Sequence, residues 1–168
     1  MEFYKIFDRF FSRDGAKVLR KDMPNVTLAK MRLASHPDAK ACILKKLSRH
    51  ACESIVARVA ENANTEVDVL ESLLKHPDPN VRIAITENAN APVRILLLLA
   101  ADQNVDVRYS LSENHNIPPS VLAVLSEDEN PYVADRAART LRRVENAGSS
   151  KNFVWFPFVA KSQKQDMG

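Results

Sequence analysis

Glu61-Asn62-Ala63-Asn64 recurs as Glu87-Asn88-Ala89-Asn90 and again as Glu113-Asn114-His115-Asn116, each copy 26 residues after the last. A fixed period of this length is the signature of a stacked array, in which each unit buries its apolar face against the next. The apolar positions keep the same spacing. Leu47, Leu73, Leu99 and Leu125 are in phase, as are Leu44, Leu70, Leu96 and Leu122, and Val59, Ile85 and Leu111.

Working outward from Asn64, one period reads as a helical hairpin. Asn64 is expected to cap a helix of about three turns, whose face is Val67, Leu70, Leu73 and Leu74. His76-Pro77-Asp78-Pro79 then stops it, with Asp78 capping a second, shorter helix and Pro79 in its first position, where no backbone donor is needed. Val81 and Ile85 give that helix a buried edge, and Glu87-Asn88 ends it, Asn88 in the left-handed conformation. The next copy has an Asn90 cap, Val93, Leu96, Leu97 and Leu99, then an Asn104 cap with Val107 and Leu111. The third has Asn116, Val121, Leu122 and Leu125, then Asn130-Pro131 and Val133.

A looser copy runs from Asp38 to Val59, and residues 23–34 read as an orphan second helix. The last second helix extends from Tyr132 to about Val144, with Arg136, Arg139, Arg142 and Arg143 on an exposed closing face. The expectation is an all-α, right-handed α-solenoid of about four 26-residue hairpins over residues 22–146, without a β-sheet.

Composition agrees. Only 3 Gly among 168 residues favour helices, while 9 Pro keep them short. Two cysteines, Cys42 and Cys52, match no zinc or iron–sulfur spacing and make no disulfide framework. Lys5, Asp8 and Arg9 interrupt any leader-like apolar run, and nothing approaches a spanning segment, so a cytoplasmic protein is expected. The net charge of +3 conceals a basic–acidic–basic order: residues 1–58 carry 13 Lys/Arg against 6 Asp/Glu, and residues 59–130 carry 4 against 12. An acidic middle repels phosphates and argues against a continuous nucleic-acid-binding stripe.

The ends differ in kind. Phe3, Phe7, Phe10 and Phe11 fall on one helical face within residues 1–21, which suits an aromatic capping helix. Residues 147–168 read as a flexible joint, Ala147-Gly148-Ser149-Ser150, followed by an aromatic tail with Phe153, Trp155, Phe156 and Phe158.

The runs His76-Pro77-Asp78-Pro79-Asn80-Val81-Arg82, Asn88-Ala89-Asn90-Ala91-Pro92 and Asn114-His115-Asn116-Ile117-Pro118-Pro119 resemble those of bacterial leucine-rich repeat variant proteins. They are also similar to the short repeats of the wider HEAT-like superfamily. The resemblance covers about residues 35–143 and implies a superhelix of paired α and short or 3₁₀ helices, used as a binding scaffold. The cysteine-ligated cluster of that family's founding members is not carried over, because the four-cysteine motif is absent.

Candidate sites follow from the remaining polar residues. The Asn pairs are read as helix stops and caps rather than ligand-facing amides. Arg82 and Arg108, one period apart, grip either an acidic partner or a neighbouring element, Asp78 lying four residues before Arg82. His50 and His76 are also in phase, but stacked helices lie too far apart for a shared metal. Glu66, Asp68, Glu71, Asp102, Asp106 and Glu113 are candidates for a basic protein partner, and the aromatic tail for a partner or self-association. No catalytic constellation, cofactor or metal site is expected. The alternative reading is nucleic-acid binding through the basic first third, with Lys17, Arg20, Lys21, Lys30, Arg32, Lys45, Lys46 and Arg49.

Overall fold

Asp78 and Pro79 start a helix as local chemistry dictates. The Asp78 carboxylate accepts from the Asn80 amide at 2.9 Å, and Pro79 takes the first helical position. Asn104 accepts from the Asp106 and Val107 amides in the next copy, and Asn130 accepts from the Tyr132 amide before the last helix. The computed structural model describes residues 23–149, among which lie nine α-helices and no strand. They are α1 (Met23–Ala34), α2 (Ala41–Leu47), α3 (Glu53–Glu61), α4 (Val67–Leu73), α5 (Pro79–Thr86), α6 (Val93–Ala100), α7 (Val105–Glu113), α8 (Pro119–Leu125) and α9 (Pro131–Ser149).

The helices fall into two rows. Each of α1, α3, α5, α7 and α9 packs on the next of that odd-numbered set, and each even-numbered helix packs on the odd one that follows it. Thus α1 occupies the place of a second helix, as its sequence suggests. Within the even row, α6 and α8 pack substantially on each other.

One core runs through both rows, and it is built from the in-phase positions. Leu44, Leu70, Leu96 and Leu122 are buried, as are Leu47, Leu73, Leu99 and Leu125, and Val59, Ile85 and Leu111. Ile55, Val81, Val107 and Val133 form a further column. Each such side chain contributes about 1.5–3 kcal/mol by leaving water, so the repeating columns dominate the stability of the stack.

Several local expectations are corrected. The first helices have seven or eight residues, two turns rather than three, and the second helix of each pair is never the shorter. Pro92 and Pro118 are themselves the N-caps of α6 and α8, and Glu66 is that of α4. Asn64, Asn90 and Asn116 therefore stand two residues too early to cap anything. No described residue has a positive φ, and Asn62 and Asn114 end their helices in extended conformation.

At the far end, α9 runs to Ser149, so Ala147, Gly148 and Ser149 are helical rather than part of a joint. Arg136 is half-buried and reaches Glu113 at 3.0 Å, whereas Arg139, Arg142 and Arg143 are exposed. The proposed capping helix of residues 1–21 and the aromatic tail with Phe153, Trp155, Phe156 and Phe158 lie outside the described residues.

Candidate interaction surfaces

The Asn amides that do not cap are spent between successive copies. Asn88 Nδ2 donates to the carbonyls of Ala60 at 2.7 Å and Asn62 at 2.8 Å, while its Oδ1 accepts from the Asn90 amide at 2.9 Å. Asn62 makes the same bonds one period earlier, to Ala34 at 2.7 Å and His36 at 2.9 Å, and Asn114 donates to Thr86 at 2.6 Å. The second member of each pair joins in: Asn64 donates to Pro37, and Asn90 to Ala63 at 2.8 Å. Asn62 and Asn88 are buried. These are staples that satisfy otherwise orphaned carbonyls, neither ligand-facing amides nor caps.

Arg82 and Arg108 also face inward to the next copy. Arg82 holds Asp102 with two bonds of 2.7 and 2.9 Å and donates to the His76 carbonyl at 2.7 Å. Arg108 repeats this on Asp128, at 2.8 and 3.1 Å, and on the Asp102 carbonyl at 2.8 Å. Asp78 is thus a cap and not the partner of Arg82. Burial alone would raise the Asp102 carboxyl, but the Arg82 hydrogen bonds, the Asn104 amide and the charges of Arg82 and Arg108 hold it below its usual value. Both arginines are used by the stack.

The carboxylates have a second task, and histidines share it. Asp102 Oδ1 accepts from the Asn104 amide and Asp128 Oδ1 from the Asn130 amide, both at 2.8 Å. At the equivalent earlier positions, His76 Nδ1 accepts from Asp78 at 3.1 Å and His50 Nδ1 from Cys52 at 3.0 Å. His50 Nε2 also lies 3.0 Å from Lys30 Nζ, in the slot that Arg82 and Asp102 fill two periods later.

Burial, and then the Lys30 charge, keep the His50 ring below its ordinary value of 6.5. A ring neutral in the fold contributes stability above pH 6.5 that is lost as pH falls through the lower folded value. We expect thermal stability to drop between about pH 7 and 5, and His50→Gln to flatten that part of the profile. An unchanged slope in melts across that range would show that His50 does not titrate with folding.

The acidic candidates divide between two faces. Glu66, Asp68 and Glu71 belong to the even row, where Lys45 pairs with Glu66 and Asp68 and Arg94 reaches Glu71 at 2.6 Å. Asp106 and Glu113 are exposed on α7 in the odd row, Glu113 meeting Arg136. Around them stand exposed Val105, Tyr109 and Tyr132, the two tyrosines being the aromatics within the array. Of the basic candidates within the described residues, Arg32, Lys46 and Arg49 are exposed, Lys30 is half-buried and Lys45 is paired. Lys17, Arg20 and Lys21 lie outside.

Sequence reasoning placed Val93 and Leu97 in the core, but both are exposed, together with Leu98 and Val124. The signal was present in the run Ile95-Leu96-Leu97-Leu98-Leu99, which has more apolar residues than one helical face can bury.

A shallow depression of about 570 Å³ is lined by Asp102, Arg108, Asp128 and Glu129 among others, and these charges are already paired, Arg108 with Asp128 and Glu129 and Asp102 with Arg82. Among the described residues no cluster of three or more His, Cys, Asp or Glu is placed to hold a metal, and no helix is long and apolar enough to cross a membrane. No family model matches this chain, and neither the curated proteins nor the solved structures contain a significant match to it.

Proposed function

We propose that the chain is a right-handed α-solenoid of the HEAT-like, leucine-rich-repeat-variant kind, serving as a non-catalytic, cytoplasmic protein-binding scaffold in a bacterium. The observation that carries this reading is a division of labour. Residues that repeat in phase (Asn62, Asn88 and Asn114, the Leu columns, and Arg82–Asp102 with Arg108–Asp128) are consumed between the copies. Exposed positions change from copy to copy: Asp68, Arg94 and Ser120 are equivalent, as are Asn80, Asp106 and Tyr132. Such an array keeps its fold while its surface diverges, which suits recognition rather than chemistry.

The face that fits a partner best is the odd row around α7, where Asp106 and Glu113 flank Tyr109 and Tyr132. Carboxylates beside exposed aromatics suit a basic protein segment, through charge-assisted hydrogen bonds and cation–π contact. Crosslinking pull-downs from native cells should recover a protein partner with the wild-type chain and lose it with the double variant Asp106→Lys, Tyr132→Ala. Failure to recover any protein, with salt-sensitive duplex binding in its place, would transfer the function to the basic first third.

A further inference from the structure

The even row carries an apolar face that nothing among the described residues covers. Leu98 is 59% exposed and Val124, its equivalent one period later, 53%. Val93 and Leu97 on α6 and Ala123 on α8 continue the patch, and α6 packs directly on α8. Equivalent positions on α2 and α4 hold Lys45, Lys46, Glu71 and Ser72, so the patch belongs to one end of the array. Contiguous apolar surface of this kind marks a contact site.

We propose that residues 153–159 of the same chain dock on this face. Phe153-Val154-Trp155-Phe156-Pro157-Phe158-Val159 contains no charge and four aromatic residues, and so matches an apolar patch whose one charged side chain, Arg94, is drawn aside to Glu71. Pro157 lacks a backbone donor and favours an extended strip over a helix. Charge at the rim agrees. The run is followed by Lys161, and the patch is bounded by the turn 126–130, where Glu127 and Glu129 are exposed.

Chain length decides whether the tail can reach. α8 and α9 are joined by the turn 126–130 and pack side by side, so a segment leaving Ser149 must return along α8. The return path is at most the length of α9, 19 residues or about 28 Å, with about 8–10 Å of lateral offset between packed helices. The combined distance is about 30 Å, and the ten residues from Ser149 to Val159 span about 33–36 Å when extended. The tail is long enough with little to spare: Trp155, six residues from Ser149, reaches about 20–22 Å, to the near edge of the patch, and Phe156 to Val159 lie beyond it.

Trp155 is the chain's single tryptophan and reports on the contact directly. In the full chain its emission should be blue-shifted and shielded from a soluble quencher. Leu98→Glu should move it to the emission of free tryptophan and open it to the quencher. Val124→Glu should do the same if Leu98→Glu fails to fold, and Leu28→Glu, on the exposed face of α1 at the opposite end, should leave it unchanged. Wild-type emission already matching free tryptophan would overturn the proposal. So would a blue shift that survives both patch variants. A blue shift lost on dilution, with a dimer seen by light scattering, would overturn it in favour of the tail of a second copy.

Discussion

Asn88→Ala is expected to destabilise the protein by about 3 kcal/mol, a large fraction of the total for a domain of this size. The side chain is 5% exposed and its amide is the donor for two carbonyls, Ala60 and Asn62, while its oxygen accepts from the Asn90 amide. Alanine leaves all three buried or half-buried groups without that partner, at about 1–3 kcal/mol for each that water does not reach. Asn88→Asp should cost more than alanine, because it removes the donor and sets a carboxylate against two carbonyl oxygens. The contrast is Asn90→Ala, whose exposed bond to Ala63 is worth about 1 kcal/mol or less. Urea melts of the three variants separate a staple from a cap. Equal losses for Asn88→Ala and Asn90→Ala would show that position 88 merely ends its helix.

The second large effect falls on the Arg108–Asp128 slot, where the side chains are only 9% and 6% exposed. Asp128→Ala is expected to cost about 3 kcal/mol, because removing one member of a buried pair strands the other charge. Arg108 would keep the Asp102 carbonyl and the mostly exposed Glu129. Replacing both members, Arg108→Met with Asp128→Leu, should recover most of that loss, since apolar side chains of similar volume need no compensation. A double variant as unstable as the sum of the singles would mean that the pair contributes more than it costs to bury. In the wild type, burial pushes the Asp128 carboxyl up, but Arg108 and the Asn130 amide bring it below 3.8. The stabilisation is therefore present above pH 3.8 and lost as pH falls through the lower folded value.

What could be read from sequence followed the range of each interaction. Asp78, Asn104 and Asn130 act on amides two residues ahead, so their capping was legible, as were the buried Leu columns, which depend only on period. Asn62 and Asn88 were misread because a primary amide serves equally well locally or across a gap. Their donors go back 26 and 28 residues, and only the stacked geometry brings those carbonyls close. Arg82 was ambiguous for the same reason, with a carboxylate four residues away in sequence and its true partner 20 residues away. Of the odd-row face, Asp106 and Glu113 were legible as partner candidates, whereas Tyr109 and Tyr132 were not, because the exposure of an aromatic within a helix depends on the row it belongs to.

The direction of the Asn staples has a consequence for how such a chain changes length. Asn62 and Asn88 each draw on two carbonyls of the copy before and Asn114 on one, so the junctions are polar and share one direction, like links that hook one way. Duplicating or excising a whole 26-residue unit between residues 62 and 114 restores hooks of the same direction. Adding a single residue between Asn62 and Asn64 instead pulls an amide off its carbonyls and shifts every column behind it. The architecture therefore tolerates large, period-matched changes and resists the smallest ones. A duplicated residues 63–88 segment should accordingly fold with a proportionately larger denaturant sensitivity, in step with the extra surface it buries.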